Sequence, residues 1–336
     1  MKIKKITPLF ITSFLTLVGC NNQHVNVGLL YCAKEANSLY QVREIEKSLK
    51  AKGLSTRLIS FENSNDLATV LNGNISKVDT LYIPTDNTCA DNTEIINTVV
   101  REKKVPVFAG EEGLCKGCGA ITLSINYYNI GVKTGQMAVD VLLGRSDIST
   151  MAIAYDDNPV KKYNADFCTD VGITIPDDFI EVNTPSNSPV TVTPNNLNTS
   201  NTHFSIGICQ LVNHVALDAA TLGFQDAVKA GLGEANVTFD LQIAAGESAN
   251  CATIANNFVA HNVDLIMANA TPALQAAANS TTTIPILGTS VTEYGVALGI
   301  ENFDGTVGGN ISGTSDLAPL QDQADILASV FKDFMK

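Results

Sequence analysis

The chain is poor in the residues that announce catalysis or nucleic-acid binding. It has four histidines in 336 residues, His24, His203, His214 and His261, and no metal-ligand or general-base motif surrounds any of them. HExxH, a serine nucleophile elbow and a spaced carboxylate pair are all missing. No glycine-rich phosphate cradle follows any of the apolar runs that read as strands. Positive charge is scarce as well: 21 Lys and Arg stand against 34 Asp and Glu, a net charge of −13. A surface of that sign repels phosphate backbones and anionic lipid, so the sequence carries no expectation of nucleic-acid binding. Nothing here points to an enzyme, a cofactor or a metal. Beyond the first twenty residues no apolar run is long enough to span a bilayer.

The beginning of the chain has an address. Met1 to Lys5 is basic, Ile6 to Val18 is apolar, and Gly19-Cys20 follows. That layout is an export signal, too short for a transmembrane helix. Leu17-Val18-Gly19-Cys20 resembles the bacterial lipobox, which implies a signal over residues 1–19, a lipid on Cys20 and a polar tether over 20–24. Loss of Lys2, Lys4 and Lys5 with the signal takes the net charge to −16. The expected mature protein is monomeric and lies outside the cytoplasmic membrane, anchored by lipid at the periplasmic face or the cell surface.

Beyond the tether, "VNVGLLY" reads as a buried strand in which Gly28 permits close approach. "SLYQVREIEKSLKAKG" follows with Leu39, Val42, Ile45 and Leu49 on one helical face. Short apolar runs then alternate with amphipathic stretches through "VDTLYIP" and "VPVFAG", the pattern of parallel strands joined by helical crossovers. The same order restarts at residue 203. "FSIGICQ" matches "VNVGLLY", "NVDLIMANATPA" matches "KVDTLYIPTDNT", and "IPILGTS" matches "VPVFAGE". The expected architecture is α/β, with two doubly wound parallel-sheet lobes over 25–182 and 203–336 and a cleft between them. Joining the lobes is "NTPSNSPVTVTPNNLNTSNT", residues 183–202. It has three prolines and no charge, a composition that cannot bury enough apolar surface to order itself.

In doubly wound folds, ligands bind beyond the carboxyl ends of the strands. Those ends read Tyr31-Cys32-Ala33, Pro84 to Thr88 and Ala109 to Glu112 in the first half. In the second they read Gln210 to His214, Asn269 to Pro272 and Gly288 to Ser290. They are rich in small polar groups, a lining suited to a zwitterion or another polar solute.

"IGICQLVNHVALDAATLGF", "CATIANNFV", "VDLIMANATPALQAAAN" and "ISGTSDLAPL" resemble the first lobe of a family of bacterial ABC-transporter substrate-binding lipoproteins. "VGLLYCAKEANS", "YIPTDNT", "VPVFAGEEG" and "INYYNIGVKTGQMA" resemble that family's second lobe. The resemblance implies the type I periplasmic-binding-protein fold, a hinge, and a permease partner in the cytoplasmic membrane. The order of the halves is reversed, which implies a circular permutation with 183–202 joining the family's former ends. Members include binders of aromatic amino acids, so an amino acid is the expected solute. Thr271, Thr289 and Ser290 would then take the carboxylate, and Asp86 and Glu111 the ammonium. Asn87, Gln210 and His214 lie at the same edge, and Tyr127, Tyr128 and Phe108 are candidates for a side-chain wall. Where the family often has an acidic residue, this chain has Asn126 and Asn213.

Eight cysteines complete the inventory. Cys209 reads as a small buried hydrophobe, and Cys168 and Cys251 have no partner nearby in sequence. Cys32, Cys89, Cys115 and Cys118 all follow strands of the first half, where disulfides Cys32–Cys89 and Cys115–Cys118, free thiols and a four-thiolate metal site are alternatives. Two rival functions follow from these features: a binding lipoprotein that signals to a membrane receptor, and a thiol-redox or metal-binding protein.

Overall fold

The computed structural model describes residues 25–156, 158–183 and 202–335. The export signal, Cys20, the tether and nearly all of the 183–202 segment lie outside the described residues. The first half contributes strands β1 (Val25–Cys32), β2 (Thr56–Phe61), β3 (Val78–Ile83), β4 (Val107–Ala109), β5 (Ile121–Ser124), β6 (Val160–Tyr163) and β7 (Ile180–Glu181). Helices α1 (Ala36–Ala51), α2 (Ser64–Asn74), α3 (Asn87–Asp91), α4 (Thr93–Lys103), α5 (Glu112–Cys118), α6 (Tyr127–Leu142) and α7 (Ala165–Val171) alternate with them. The second half carries β8 (Phe204–Gln210), β9 (Val237–Ile243), β10 (Leu265–Asn269), β11 (Ile286–Val291) and β12 (Ile311–Ser315). Its helices are α8 (Val215–Leu232), α9 (Ser248–Ala260), α10 (Thr271–Ser280), α11 (Tyr294–Leu298) and α12 (Leu320–Val330).

The described strands form two sheets, ordered β2-β1-β3-β4-β5-β6-β7 and β12-β11-β10-β8-β9. Both contain the same doubly wound core. β1, β3 and β4 stand where β8, β10 and β11 stand in the other sheet, as the repeated sequence patterns predict. Every pairing in the second sheet is parallel, whereas β6 runs antiparallel to β5 in the first. The two matched glycines do matching work. A Cβ on Gly28 would lie 2.7 Å from Leu81 Cδ2, and one on Gly207 would lie 2.6 Å from the Phe258 ring. Both distances are shorter than van der Waals contact allows, so a side chain there would push the covering core away from the strand.

The helices do not all stay with the sheet they follow. α6 leaves β5 and packs along α8, against β11 and β12 of the other sheet. Ala138 and Val139 of α6 belong to the second lobe's core with Phe224, Val228 and Leu287. α12 makes the opposite journey: it leaves β12 and lies on α1, with Ala324, Leu327 and Phe331 buried in the first lobe's core beside Val27, Ile45 and Leu49. The expected spans 25–182 and 203–336 therefore follow the chain, while the packed bodies trade one helix each. The apolar face of each helix seats wherever a complementary surface stands, and short crossovers at residues 125–126 and 316–319 carry it across.

The α6–α8 seam is unusually close. A Cβ on Gly131 would sit 2.0 Å from Ala220 O, and one on Gly223 would sit 2.1 Å from Tyr128 O. Backbone meets backbone there because neither residue carries a side chain. No helix among the described residues is long and apolar enough to cross a membrane.

Candidate ligand-binding cleft

A cleft of about 520 Å³ opens between the lobes. Glu35, Asn37, Asn87 and Thr88 line it from the first lobe, and Leu211, Val212, Thr271 and Pro272 from the second. Each wall is made of strand ends and helix beginnings, because every β-to-α connection in this topology turns at the same edge. Helix amino termini thus face the cleft, and their unpaired N–H groups favour a negatively charged group.

Most of these termini are already satisfied. Asn63 accepts from Asn65 N at the start of α2, and Asp86 accepts from Cys89 N at 2.8 Å at the start of α3. Glu35 receives four hydrogen bonds from Asn87 and Thr88, tying α1 to α3. His214 caps α8, its Nδ1 accepting from Ala216 N at 3.2 Å. Burial presses its pKa down to about 4 against the pull of Asp218 and of Asp91 from the other lobe, so it is neutral at pH 7. α10 differs. Its N-cap is Ala270, which has no side-chain oxygen to offer, and no side chain caps the helix. Pro272, the second residue of α10, has no N–H, so the Thr271 and Ala273 amides are the donors this helix start can offer.

Next to them stands Ser290, at the end of β11. Ala270 N donates to Thr289 O at 3.0 Å, which holds the two strand ends together. Ser290 is buried, its Oγ has no hydrogen-bond partner among the described residues, and its φ is +52°. A serine in that region is strained, and strain of this kind gathers at ligand sites. Asn269 Oδ1 and, on the opposite wall, Asn37 Oδ1 are also buried without a partner. Each such orphan costs about 1–3 kcal/mol until something binds it.

A second polar group bridges the lobes. Tyr127, at the crossover into α6, donates its hydroxyl to Asp316 Oδ2 at 3.0 Å. Thr85 O, in the first lobe, accepts from cleft-lining Asn37 Nδ2 at 2.8 Å. Asp316 is buried, and burial lifts its pKa to about 6 although the hydroxyls of Thr292 and Tyr127 oppose the rise. Glu111 is also buried. Burial, then the neighbouring charges of Glu112 and Asp316, raise it to about 7 against the pull of the Gly113 and Leu114 amides. No lysine, arginine or histidine pairs with Asp316 or Glu111 among the described residues. Burial and mutual repulsion are thus answered by holding protons more tightly.

The residues read from the sequence divide accordingly. Asn87 and Thr271 line the cleft, and Ser290 sits by the uncapped start of α10. Tyr127 bonds Asp316 and forms no wall. Asp86, the expected ammonium partner, is buried and engaged locally. Its two oxygens are taken by Cys89 N and by Cys32 N at 2.7 Å, so it binds the sheet edge to α3. Glu111 likewise caps α5 through Gly113 and Leu114, though it keeps its place beside Asp316. Gln210 turns inward, donating to Val212 O and Asp218 Oδ1 and accepting from Thr221. Thr289 bonds Thr314 at 3.1 Å within the core. Phe108 stacks on Tyr82 in the first core, and Tyr128 reaches Asp226 along the α6–α8 seam. Neither ring meets the cleft.

Asp316 has no flanking motif in "ISGTSD" that marks it as a site residue. The available signal was its place directly after β12, the last strand end of the second lobe. The seven described cysteines are all buried free thiols, so neither Cys32–Cys89 nor Cys115–Cys118 is bonded here. Cys32 Sγ lies toward Glu62 O, and Cys115 and Cys118 sit a turn apart inside α5. No group of three or more His, Cys, Asp or Glu among the described residues is placed to hold a metal ion.

Comparison with known proteins fits this geometry. A 120-residue stretch is 37% identical to the tyrosine-binding protein of Clostridioides difficile (strain R20291), covering 36% of this chain and 35% of that one. The match thus spans about a third of the relative's length. The glucose-galactose binding protein GanP of Geobacillus stearothermophilus superposes over 93% of this chain and 92% of its own. Its TM-score is 0.59 at 11% identity, a likeness of fold. A domain solved in complex with L-Trp from Streptococcus pneumonia is 26% identical over 47% of this chain and 56% of that one, with a TM-score of 0.44. The family described as ABC transporter substrate binding protein matches residues 22–184 and 205–336, nearly everything outside the leader and the central segment. The chain belongs to the family of ABC transporter substrate-binding proteins.

Proposed function

We propose that this protein captures an amino acid between its lobes and delivers it to an ABC permease in the cytoplasmic membrane. What supports the reading is a pair of polar groups of opposite character at the ends of the neighbouring strands β11 and β12. The uncapped start of α10, with Thr271 and the orphaned Ser290 hydroxyl, offers donors to a carboxylate. Asp316, buried beside Glu111 without a cation, offers a site to an ammonium. A zwitterion with both groups on one carbon satisfies both at once. Contact with Asn37 and Thr88 on the far wall then favours the closed arrangement, because those contacts form only when the lobes meet. The naming of one relative as tyrosine-binding and the L-Trp complex of another support an amino acid over a sugar.

The reading includes an export signal over 1–19 and a lipid on Cys20. It also includes circular permutation. Helix α12, at the end of the chain, packs on α1 near its beginning, and Phe331 shares a core with Val27. The first described strand and the last helix are therefore neighbours in the first lobe, as a former junction between them requires.

A thermal-shift screen of the twenty amino acids against a sugar set tests the solute class, since a ligand of the native state raises its melting temperature. Stabilisation by an amino acid and not by the α-keto acid lacking its ammonium is expected. Stabilisation by sugars alone would overturn the reading.

A further inference from the structure

Cys209 and Cys251 lie about 40 positions apart in the chain, a loop length at which a cross-link strongly restricts the unfolded state. The fold sets them side by side. Cys209 is the penultimate residue of β8, and Cys251 stands in the first turn of α9, which packs on β8. Both are fully buried in the same core cluster, close enough for each thiol to shift the other's acidity. Cys89 and Cys118, and Cys115 and Cys168, are also neighbours, but in the first lobe. Cys32 Sγ is directed to Glu62 O, Cys168 Sγ to Ala120 O, and Cys115 and Cys118 are held within one helix. Substrate-binding proteins work outside the cytoplasm, where neighbouring thiols oxidise and stay oxidised.

We propose that Cys209 and Cys251 form a disulfide in the exported protein. The oxidant is an extracytoplasmic thiol oxidase carrying a reactive disulfide. The Cys251 thiolate attacks that disulfide and expels one oxidase sulfur as a thiolate. The Cys209 thiolate then attacks Cys251 Sγ in the mixed disulfide and expels the second. The protein gives up two electrons and two protons, and the oxidase disulfide becomes a dithiol. Because both sulfurs end fully buried, the exchange happens while the second lobe is still folding. The finished bond ties the end of β8 to the start of α9, where Glu247 and Ser248 line the cleft. It therefore stiffens one wall of the cleft.

The sequence makes the bond easy to read. Lys229 is the sole lysine or arginine between residues 163 and 331, so trypsin separates Cys209 from Cys251 into fragments 163–229 and 230–332. Protein recovered from the extracytoplasmic space is denatured in the presence of iodoacetamide, digested and weighed without reductant. The two fragments are expected to stay joined, two hydrogens lighter than their sum, and to part on reduction. Cys168→Ser should keep the link, which excludes the other cysteine of the first fragment. Fragments that part without reductant, each fully alkylated, overturn the proposal. So does a link that Cys168→Ser abolishes. The measurement is made on the denatured wild-type chain, so it stands even if a cysteine variant does not fold.

Discussion

Replacing Asp316 with asparagine should make the protein more stable and a poorer binder. The carboxyl is fully buried, and its pKa is raised from an ordinary 3.8 to about 6. A folded-state value above the unfolded one means that the native protein binds the extra proton between about pH 4 and pH 6. Stability from this group is thus greatest at acid pH, falls as the pH climbs through that window, and stays lower above it. About two units correspond to about 3 kcal/mol of penalty carried at neutral pH. The amide introduced by Asp316→Asn keeps an oxygen for the Tyr127 hydroxyl and carries no charge. The substitution therefore removes that penalty, and its melting temperature at pH 7.5 should equal or exceed the wild type's. Binding moves the other way. Removing a buried charge partner costs about 2–5 kcal/mol, roughly 30- to several-thousand-fold in affinity. The amino acid that gives the largest thermal shift is titrated by calorimetry at pH 5 and pH 8. Wild-type affinity should rise with pH, because an ammonium binds the ionised carboxylate and expels its proton. In the variant the Asp316 contribution to that rise should vanish. Wild-type affinity in Asp316→Asn, with the pH dependence intact, would show that the ammonium binds elsewhere.

Ser290→Ala should weaken binding about tenfold, the worth of one hydrogen bond, while Ser290→Gly should weaken it equally and raise the melting temperature by relieving the φ of +52°. Equal stability of the two variants would show that the backbone is unstrained. Gly131→Val forces a Cβ to within 2.0 Å of Ala220 O, so the α6–α8 seam must separate. A loss of at least about 3 kcal/mol in urea unfolding is expected, since overpacking at backbone contact leaves little room to relax. Phe331→Ala, though close to the end of the chain, should cost about 3–5 kcal/mol because its ring is buried in the first lobe's core. A change below about 1 kcal/mol would mean that α12 is not anchored there.

The sibling lobes were legible because their strands are buried on both faces, and continuous apolar runs such as "VGLLY" and "IGICQ" survive as patterns. The close-approach role of Gly28 was legible for the same reason. The exchange of α6 and α12 was not, since an apolar stripe shows that a helix is buried without naming its neighbour. The site was half legible. Thr271 and Ser290 stand at strand ends, where topology gathers them whatever their side chains do. Asp86 and Gln210 stand at strand ends too, yet their short polar groups found backbone amides and inward partners first. Position along the chain fixes which edge a residue joins, and local hydrogen-bond competition decides which way it points.

The exchanged helices also make the lobes interdependent. A cut in the central segment would yield two fragments, each holding a helix that belongs in the other's core. The first would lack Ala324, Leu327 and Phe331 from beneath α1, and the second would lack Ala138 and Val139 from beside Phe224. Neither could close its interior alone, yet mixed together each supplies the other's missing piece. The molecule is covalently one chain, but its folding has the logic of an obligate heterodimer.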